Sequence, residues 1–327
     1  MPVPTPSAAP GPPVRLRDLL RPPAAPADPR VLTGHPARTP RRHTLAVPDP
    51  VSGIRSSVAV WEYTPVPVAA PGSPGAPEGD AAAAPLVFVH GFRGDHHGLA
   101  LLADALPERA AAQAPTLPGA ARAWSLQLPD GERELIVVRS GIGLVAAASA
   151  LATVLAQVRP SAVVSAGTTG GLGRQVEVGD VCASATLVYT DADATAFGYA
   201  RGQTPGQPET FAGDAALLER LEQVGQEALR GATASSGSAR LRVGQMLAGN
   251  SFVTAANVAD TREVFPAALS TDMESTALAQ VAAGAGVPFV SVRGVSDLCG
   301  PEAGQDFHIA VEEAAARSAA VVLALLS

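Results

Sequence analysis

Ser270-Thr-Asp-Met-Glu-Ser275 and Val292-Arg-Gly-Val-Ser-Asp297 are the two stretches on which the reading of this chain turns. Each lies at the end of an apolar run, Ala268–Thr271 in one case and Phe289–Val295 in the other, and each carries acidic residues there. Short apolar runs of this kind read as buried strands, and Glu274–Gly284 between them has helical apolar spacing. Strand, helix, strand is the repeating unit of an α/β sheet, in which ligands bind at the carboxyl ends of strands. Glu274 and Asp297 are therefore expected to face one crevice. At a helix start, Glu274 either complements the helix dipole or accepts both hydrogen bonds of a vicinal diol. Asp297, followed by Leu-Cys-Gly, either caps a turn or stands partly buried as a proton donor.

The same texture extends back to Leu86. Strands are predicted at Leu86–His90, Trp124–Leu128, Glu134–Arg139, Ala162–Ala166, Val178–Tyr189 and Arg240–Ala248. Helices are predicted at Gly98–Leu106, Leu144–Val158, Asp214–Leu229, Ala255–Glu263 and His308–Leu326. The fold class this implies is α/β, with a single mixed β-sheet flanked by helices over residues 86–327. Glycine-rich turns follow three of the strands, at Ser140-Gly-Ile-Gly143, Gly167-Thr-Thr-Gly-Gly171 and Gly249-Asn-Ser-Phe252. Each would let backbone N–H groups approach a ligand closely.

Residues 1–85 are different. Twenty of the 30 prolines lie there, amid Ala/Gly-rich filler, so a continuous ladder of backbone donors is not possible and a mostly disordered segment is predicted. Within it, residues 43–63 alternate apolar and polar side chains around Pro-Asp-Pro, the pattern of a β-hairpin. Proline interrupts the N-terminus where a secretion signal would need its apolar core. All 23 basic residues are arginines, which removes lysine-dependent phosphate loops, Schiff bases and pyridoxal chemistry, and no cofactor is expected. Cys182 and Cys299 are isolated, with no spacing for a metal site or a disulfide framework, and a reducing cytoplasm fits. The net charge of −7 gives no global field for nucleic acid or an anionic membrane, so the expected partner is a small molecule.

Seven motifs occur in order: Ser140-Gly-Ile-Gly, SAGTTGGL at 165–172, VEVGDV at 176–181, DADATAFGYARGQTPG at 191–206, AGNSFV at 248–253, TDMES at 271–275 and VPFVSVRGVSD at 287–297. Together they resemble the 5′-methylthioadenosine/S-adenosylhomocysteine nucleosidases, of the nucleoside phosphorylase superfamily. The resemblance implies hydrolysis of the bond between adenine and a 5′-thioribose, through a transition state of oxocarbenium character, in nucleoside catabolism and methionine salvage. It implies that Asp297 protonates the purine, with Ser296 orienting it, that Glu274 holds the ribose diol, and that Met273 packs on the sugar. Arg293 is expected near the attacking water. Phe252 and Val253 would clamp adenine, opposite Thr169 and Gly170. Phe307 would close over the ligand, and Phe197 would be lent by the other subunit of a homodimer. Ser165 stands where phosphorylases carry an arginine, which favours water over phosphate as nucleophile.

The front of the chain departs from the resemblance. The glutamate turn that activates water in these enzymes is replaced by residues 85–98, PLVFVHGFRGDHHG, which resemble the third strand and oxyanion loop of an α/β-hydrolase. No Gly-x-Ser-x-Gly elbow accompanies it, so a working hydrolase of that type is not expected. Gly98 stands at the position of the missing glutamate, preceded by Asp95, His96 and His97 as possible substitutes for the base. Residues 86–110 are thus an atypical first strand and helix. Impaired turnover is one expectation, and a weakly catalytic nucleoside-binding module or a futalosine hydrolase-like enzyme are the alternatives.

Overall fold

Leu135, Ile136, Val137 and Val138 in one strand are all buried, and they divide between two clusters on opposite faces of the sheet. Both faces must therefore be covered by helices, as a three-layer α/β fold requires. The structure, a computed structural model, describes residues 41–48, 55–62, 86–90, 114–117, 119–128, 133–300 and 309–327. Two units are distinguished, residues 1–78 and 79–327. In the first, β1 (Arg41–Pro48) and β2 (Arg55–Glu62) pair antiparallel as a hairpin.

The second unit holds one mixed sheet. Its strands are β3 (Leu86–His90), β4 (Arg122–Gln127), β5 (Glu134–Arg139), β6 (Val163–Gly171), β7 (Val181–Tyr189), β8 (Phe211–Ala212), β9 (Leu241–Ala248), β10 (Ala268–Asp272) and β11 (Phe289–Asp297). The spatial order is β10-β9-β7-β11-β6-β3-β5-β4, with β8 beside β7. The atypical strand β3 lies between β5 and β6 and is parallel to both. Helices α1 (Leu144–Leu155) and α4 (Ser275–Ala285) cover one face, while α2 (Ala215–Arg230) and α5 (Val311–Leu326) cover the other. A shorter helix, α3 (Val258–Val264), follows β9. Among the described residues no helix is long and apolar enough to cross a membrane.

The end of β6 positions the site. The apolar run predicts an end at Ala166, but the strand continues through the glycines, paired parallel with β11 from Gly167 to Gly170 and antiparallel with β10 at its tip, Ser270 opposite Gly171 and Thr271 opposite Gly170. That pairing closes β10, β9, β7, β11 and β6 into a ring. Space at this closure is tight: a Cβ on Gly171 would lie 2.7 Å from Leu298 Cδ2, 3.1 Å from Val176 Cγ1 and 3.2 Å from Val295 Cγ1. The strand β11 likewise runs past Val295 to Asp297, with a register shift that brings Asp297 opposite Gly170. The strand β8 was not foreseen, since two residues carry no periodic signal. The predicted helix at 98–106 lies outside the described residues.

In β11, Gly294 lies directly under α5, where a Cβ would stand 2.0 Å from the Ala314 carbonyl oxygen. A backbone atom of a packed helix cannot yield as a flexible side chain can. Gly294→Ala should lower unfolding stability by about 3 kcal/mol, measured by urea denaturation. A change below about 0.5 kcal/mol would contradict this packing.

Candidate functional site

The carboxyl ends of β6, β10 and β11 meet beside the loop after β9 and enclose a cavity of about 140 Å³. It is lined by Thr168, Thr169, Gly170, Ser251, Phe252, Val253, Thr271, Asp272, Met273, Glu274, Ser296, Asp297, Cys299 and Val311. Eight residues singled out in the sequence, Thr169, Gly170, Phe252, Val253, Met273, Glu274, Ser296 and Asp297, thus meet in one place. Arg293 lies fully buried beside it. Phe197 ends a short 3-10 helix, Thr195–Phe197, with 83% of its surface exposed, and is not among the residues lining the cavity. Phe307, Asp95, His96 and His97 lie outside the described residues.

The floor is built around the Arg293 guanidinium. Its Nη1 donates to Glu274 Oε2 at 3.1 Å and to the Thr168 carbonyl at 3.2 Å, and its Nη2 donates to Ser165 Oγ at 2.9 Å. Its Nε is 3.3 Å from Asp272 Oδ2, an ion-pair contact whose angle is too poor for a hydrogen bond. One buried cation thus serves two buried carboxylates. Removing an ion from water costs several kcal/mol, so such a group persists only where partners surround it.

Glu274 is held from its other side by the first glycine turn. The Gly143 N–H donates to Glu274 Oε1 at 2.9 Å, and Gly143 has φ of 98°, a left-handed conformation suited to glycine. This N–H lies at the start of α1, so the helix dipole also favours the carboxylate. Asn250 Oδ1 accepts from Leu144 N at 3.3 Å, and the Asn250 N–H donates to Asp191 Oδ2 at 3.0 Å, tying that turn to the loop after β7. Although Glu274 occupies the N-cap position of α4, its side chain makes no capping bond. Asp272 Oδ1 does that instead, accepting from the N–H groups of Glu274 and Ser275 at 2.7 Å each. The Glu274 carboxylate is thereby left to the cavity.

Burial is the largest influence on Glu274 and pushes its pKa up; Arg293 pulls it down, the Asp272 charge raises it, and the Gly143 N–H lowers it, with a net rise. A carboxyl raised on folding contributes most below its unfolded value, about 4.5, and loses that contribution as pH rises through the folded value.

Asp297 is partly buried at the end of β11. Its Oδ1 accepts from the Cys299 N–H at 2.9 Å and its Oδ2 from Ser296 Oγ at 3.0 Å. The same Ser296 hydroxyl is 3.5 Å from the Thr169 carbonyl, so its single proton has two acceptors. Gly170 must lack a side chain here: a Cβ would lie 2.4 Å from Cys299 Sγ and 3.3 Å from Asp297 Oδ1. Opposite, Val253 packs with Leu172, Val258, Phe265 and Cys299, while Phe252 is 62% exposed at the rim. Asn257 fixes this loop, donating to the Phe252 carbonyl and accepting from Thr254 N.

Sequence reading missed Asp272 and Cys299. Cys299 takes φ of 61°, which a non-glycine residue rarely adopts, and its N–H is aimed at Asp297. Burial, then the Asp297 charge, pushes its thiol up to about 12 against a lowering by Arg262, so at neutral pH it is protonated and a poor nucleophile.

Comparison with known proteins agrees with this architecture. The sequence pattern of the Phosphorylase superfamily matches residues 94–327, and the chain belongs to that superfamily. Within it, the chain groups with the 5′-methylthioadenosine/S-adenosylhomocysteine nucleosidases. The enzyme of that name from Staphylococcus aureus is 38% identical over 197 residues, covering 60% of this chain and 82% of the relative. The crystal structure of the nucleosidase from Colwellia psychrerythraea in complex with adenine has 31% identity and a TM-score of 0.64, over 75% of this chain and 95% of its own. The Neisseria meningitidis nucleosidase in complex with methylthio-immucillin-A has 32% identity and a TM-score of 0.62, over 74% and 98%.

Glu274→Gln removes a charge that burial disfavours. As pH rises from 5 to 8, the melting temperature of the wild type should fall relative to that of the variant, because only the wild type carries the carboxyl whose pKa folding raises. A difference that is constant with pH, or that moves the other way, would contradict the raised Glu274 pKa.

Proposed function

We propose that the chain hydrolyses the N-glycosidic bond of 5′-methylthioadenosine/S-adenosylhomocysteine-type nucleosides and releases adenine. The observation that carries this reading is the single cavity with Glu274 and Asp297 on its wall, a carboxylate suited to a diol beside an acid suited to a purine. Glu274 Oε1 and Oε2 each have one protein donor, and each keeps a lone pair for a ribose hydroxyl. Met273 packs on the sugar. Phe252 stacks on the adenine ring, the Val253 backbone reads its edge, and Thr169 and Gly170 line the far side.

Asp297 delivers a proton to the purine as the bond to C1′ lengthens, and Ser296 keeps the carboxyl in line. Positive charge then grows on the ribose, where Glu274 stands closest to it. Water adds to C1′ and loses a proton to solvent, leaving a C1′ hydroxyl on the thioribose, while the protonated purine departs as adenine and Asp297 regains its proton from solvent. Arg293 already donates to Glu274, the Thr168 carbonyl and Ser165, which argues against its holding a phosphate co-substrate. The front segment lacks the glutamate turn, and water addition is slowed accordingly; loss of a general base costs a factor of about 10² to 10⁴.

The working form is a homodimer in the cytoplasm. Ile142 is 45% exposed, Val145 79% and Phe197 83%, apolar surface that a second copy would cover, with Phe197 reaching the 5′-substituent of the other subunit's ligand. Both cysteines are free and buried, which suits a reducing compartment. Neither nucleic acid nor membrane takes part.

Adenine release from 5′-methylthioadenosine by the full chain tests the proposal. Release should not require phosphate, and Asp297→Asn should lower kcat by about 10² to 10⁴ while nucleoside binding persists. Phosphate-dependent release, or an Asp297→Asn variant as fast as the wild type, would overturn it.

A further inference from the structure

Asp272 was not singled out in the sequence, yet three different elements meet at it. One carboxylate oxygen accepts the first N–H groups of α4, those of Glu274 and Ser275, at 2.7 Å each. The other accepts from Ser275 Oγ at 2.6 Å and faces Arg293 Nε at 3.3 Å. Since Ser275 gives its only hydroxyl proton to Asp272, the 2.8 Å contact between Ser275 and Ser291 must run from the Ser291 hydroxyl to Ser275 Oγ. Ser275, Ser291 and Arg293 are wholly buried, Glu274 is 2% exposed and Asp272 is 8% exposed.

Helix capping alone does not account for an aspartate here. A serine or asparagine caps nearly as well without a charge. A second carboxylate beside a guanidinium already paired with Glu274 adds repulsion in a buried setting, and Asp272 raises the Glu274 pKa for that reason. What the carboxylate adds is geometric. Standing 3.3 Å from Nε, its charge draws the guanidinium toward the end of β10 and so biases the side from which Nη1 reaches Glu274, by electrostatic attraction and not by a hydrogen bond. By capping α4 it also fixes the backbone from which Glu274 projects.

We propose that Asp272 is a positioning residue for sugar recognition: it locks Arg293 and the start of α4 together, and thereby sets the Glu274 carboxylate in the orientation that meets both ribose hydroxyls. This rests on the nucleosidase reading for the identity of the diol, though not on turnover.

The test uses the full chain and a ligand that is not cleaved, 5′-methylthiotubercidin, whose base has carbon in place of N7 and offers Asp297 no nitrogen to protonate. Its binding is compared by calorimetry with that of its 2′,3′-dideoxy counterpart and of adenine. The wild type should prefer the diol ligand. Asp272→Asn should lower that preference about tenfold, the scale of a charge-assisted hydrogen bond, and leave adenine affinity within about twofold. Asp272→Ser, which retains a helix cap, should do the same, so the outcome does not hang on one variant's folding. In a Glu274→Gln background the Asp272→Asn effect should vanish, because the two act as one unit. Unchanged preference in both variants, or adenine and dideoxy ligand weakened in parallel with the diol ligand, would overturn the proposal. A wild type that shows the preference but releases no adenine from 5′-methylthioadenosine would overturn the catalytic reading and leave this one standing.

Discussion

The buried Arg293 guanidinium is the interaction on which the site depends. It comes from the middle of β11, and its partners come from β6, β10 and the residue just before α4. Three strands are therefore referenced to one planar group whose charge could not be left alone in that environment. Two carboxylates and one cation also leave the cluster with a net negative charge. That costs stability and places negative potential on the wall of the cavity that Asp272 and Glu274 line.

Ring closure supplies the other constraint. Pairing of β10 with the end of β6 brings the glycine run against the strand that leads to Asp272 and Glu274. Gly170 and Gly171 permit this because their missing side chains make room for Cys299, Asp297 and Leu298. The two acids thus face one cavity although 23 residues and a whole helix separate them in the chain. Asp297 thus stands at the end of β11 and Glu274 at the junction of β10 and α4, two parts of the sheet that line the same cavity.

Much of this was legible in the sequence where the signal is local. Apolar runs marked β5, β9, β10 and β11 to within a few residues, and the acids at the ends of β10 and β11 marked the cavity. Features set by tertiary contact were not legible. The extension of β6 through Gly167–Gly171 depends on β11 and β10, partners a hundred residues or more away, which no local pattern announces. Glu274 at a helix start reads equally as a cap, and only Asp272 taking that role frees it. The positive φ of Cys299 has no signature in a cysteine. Leu86–His90 has the composition of a buried strand, and its place between β5 and β6 follows from that whatever its origin.

The central claim is that Glu274 and Asp297 hold opposite ends of one nucleoside. A crystal structure of the full chain with a 5′-methylthio nucleoside analogue tests it most directly. The account predicts both Glu274 oxygens within about 3.2 Å of the 2′- and 3′-hydroxyls and an Asp297 oxygen within the same distance of the purine five-membered ring edge. A ligand bound elsewhere, or one touching only one of the two carboxylates, would contradict it.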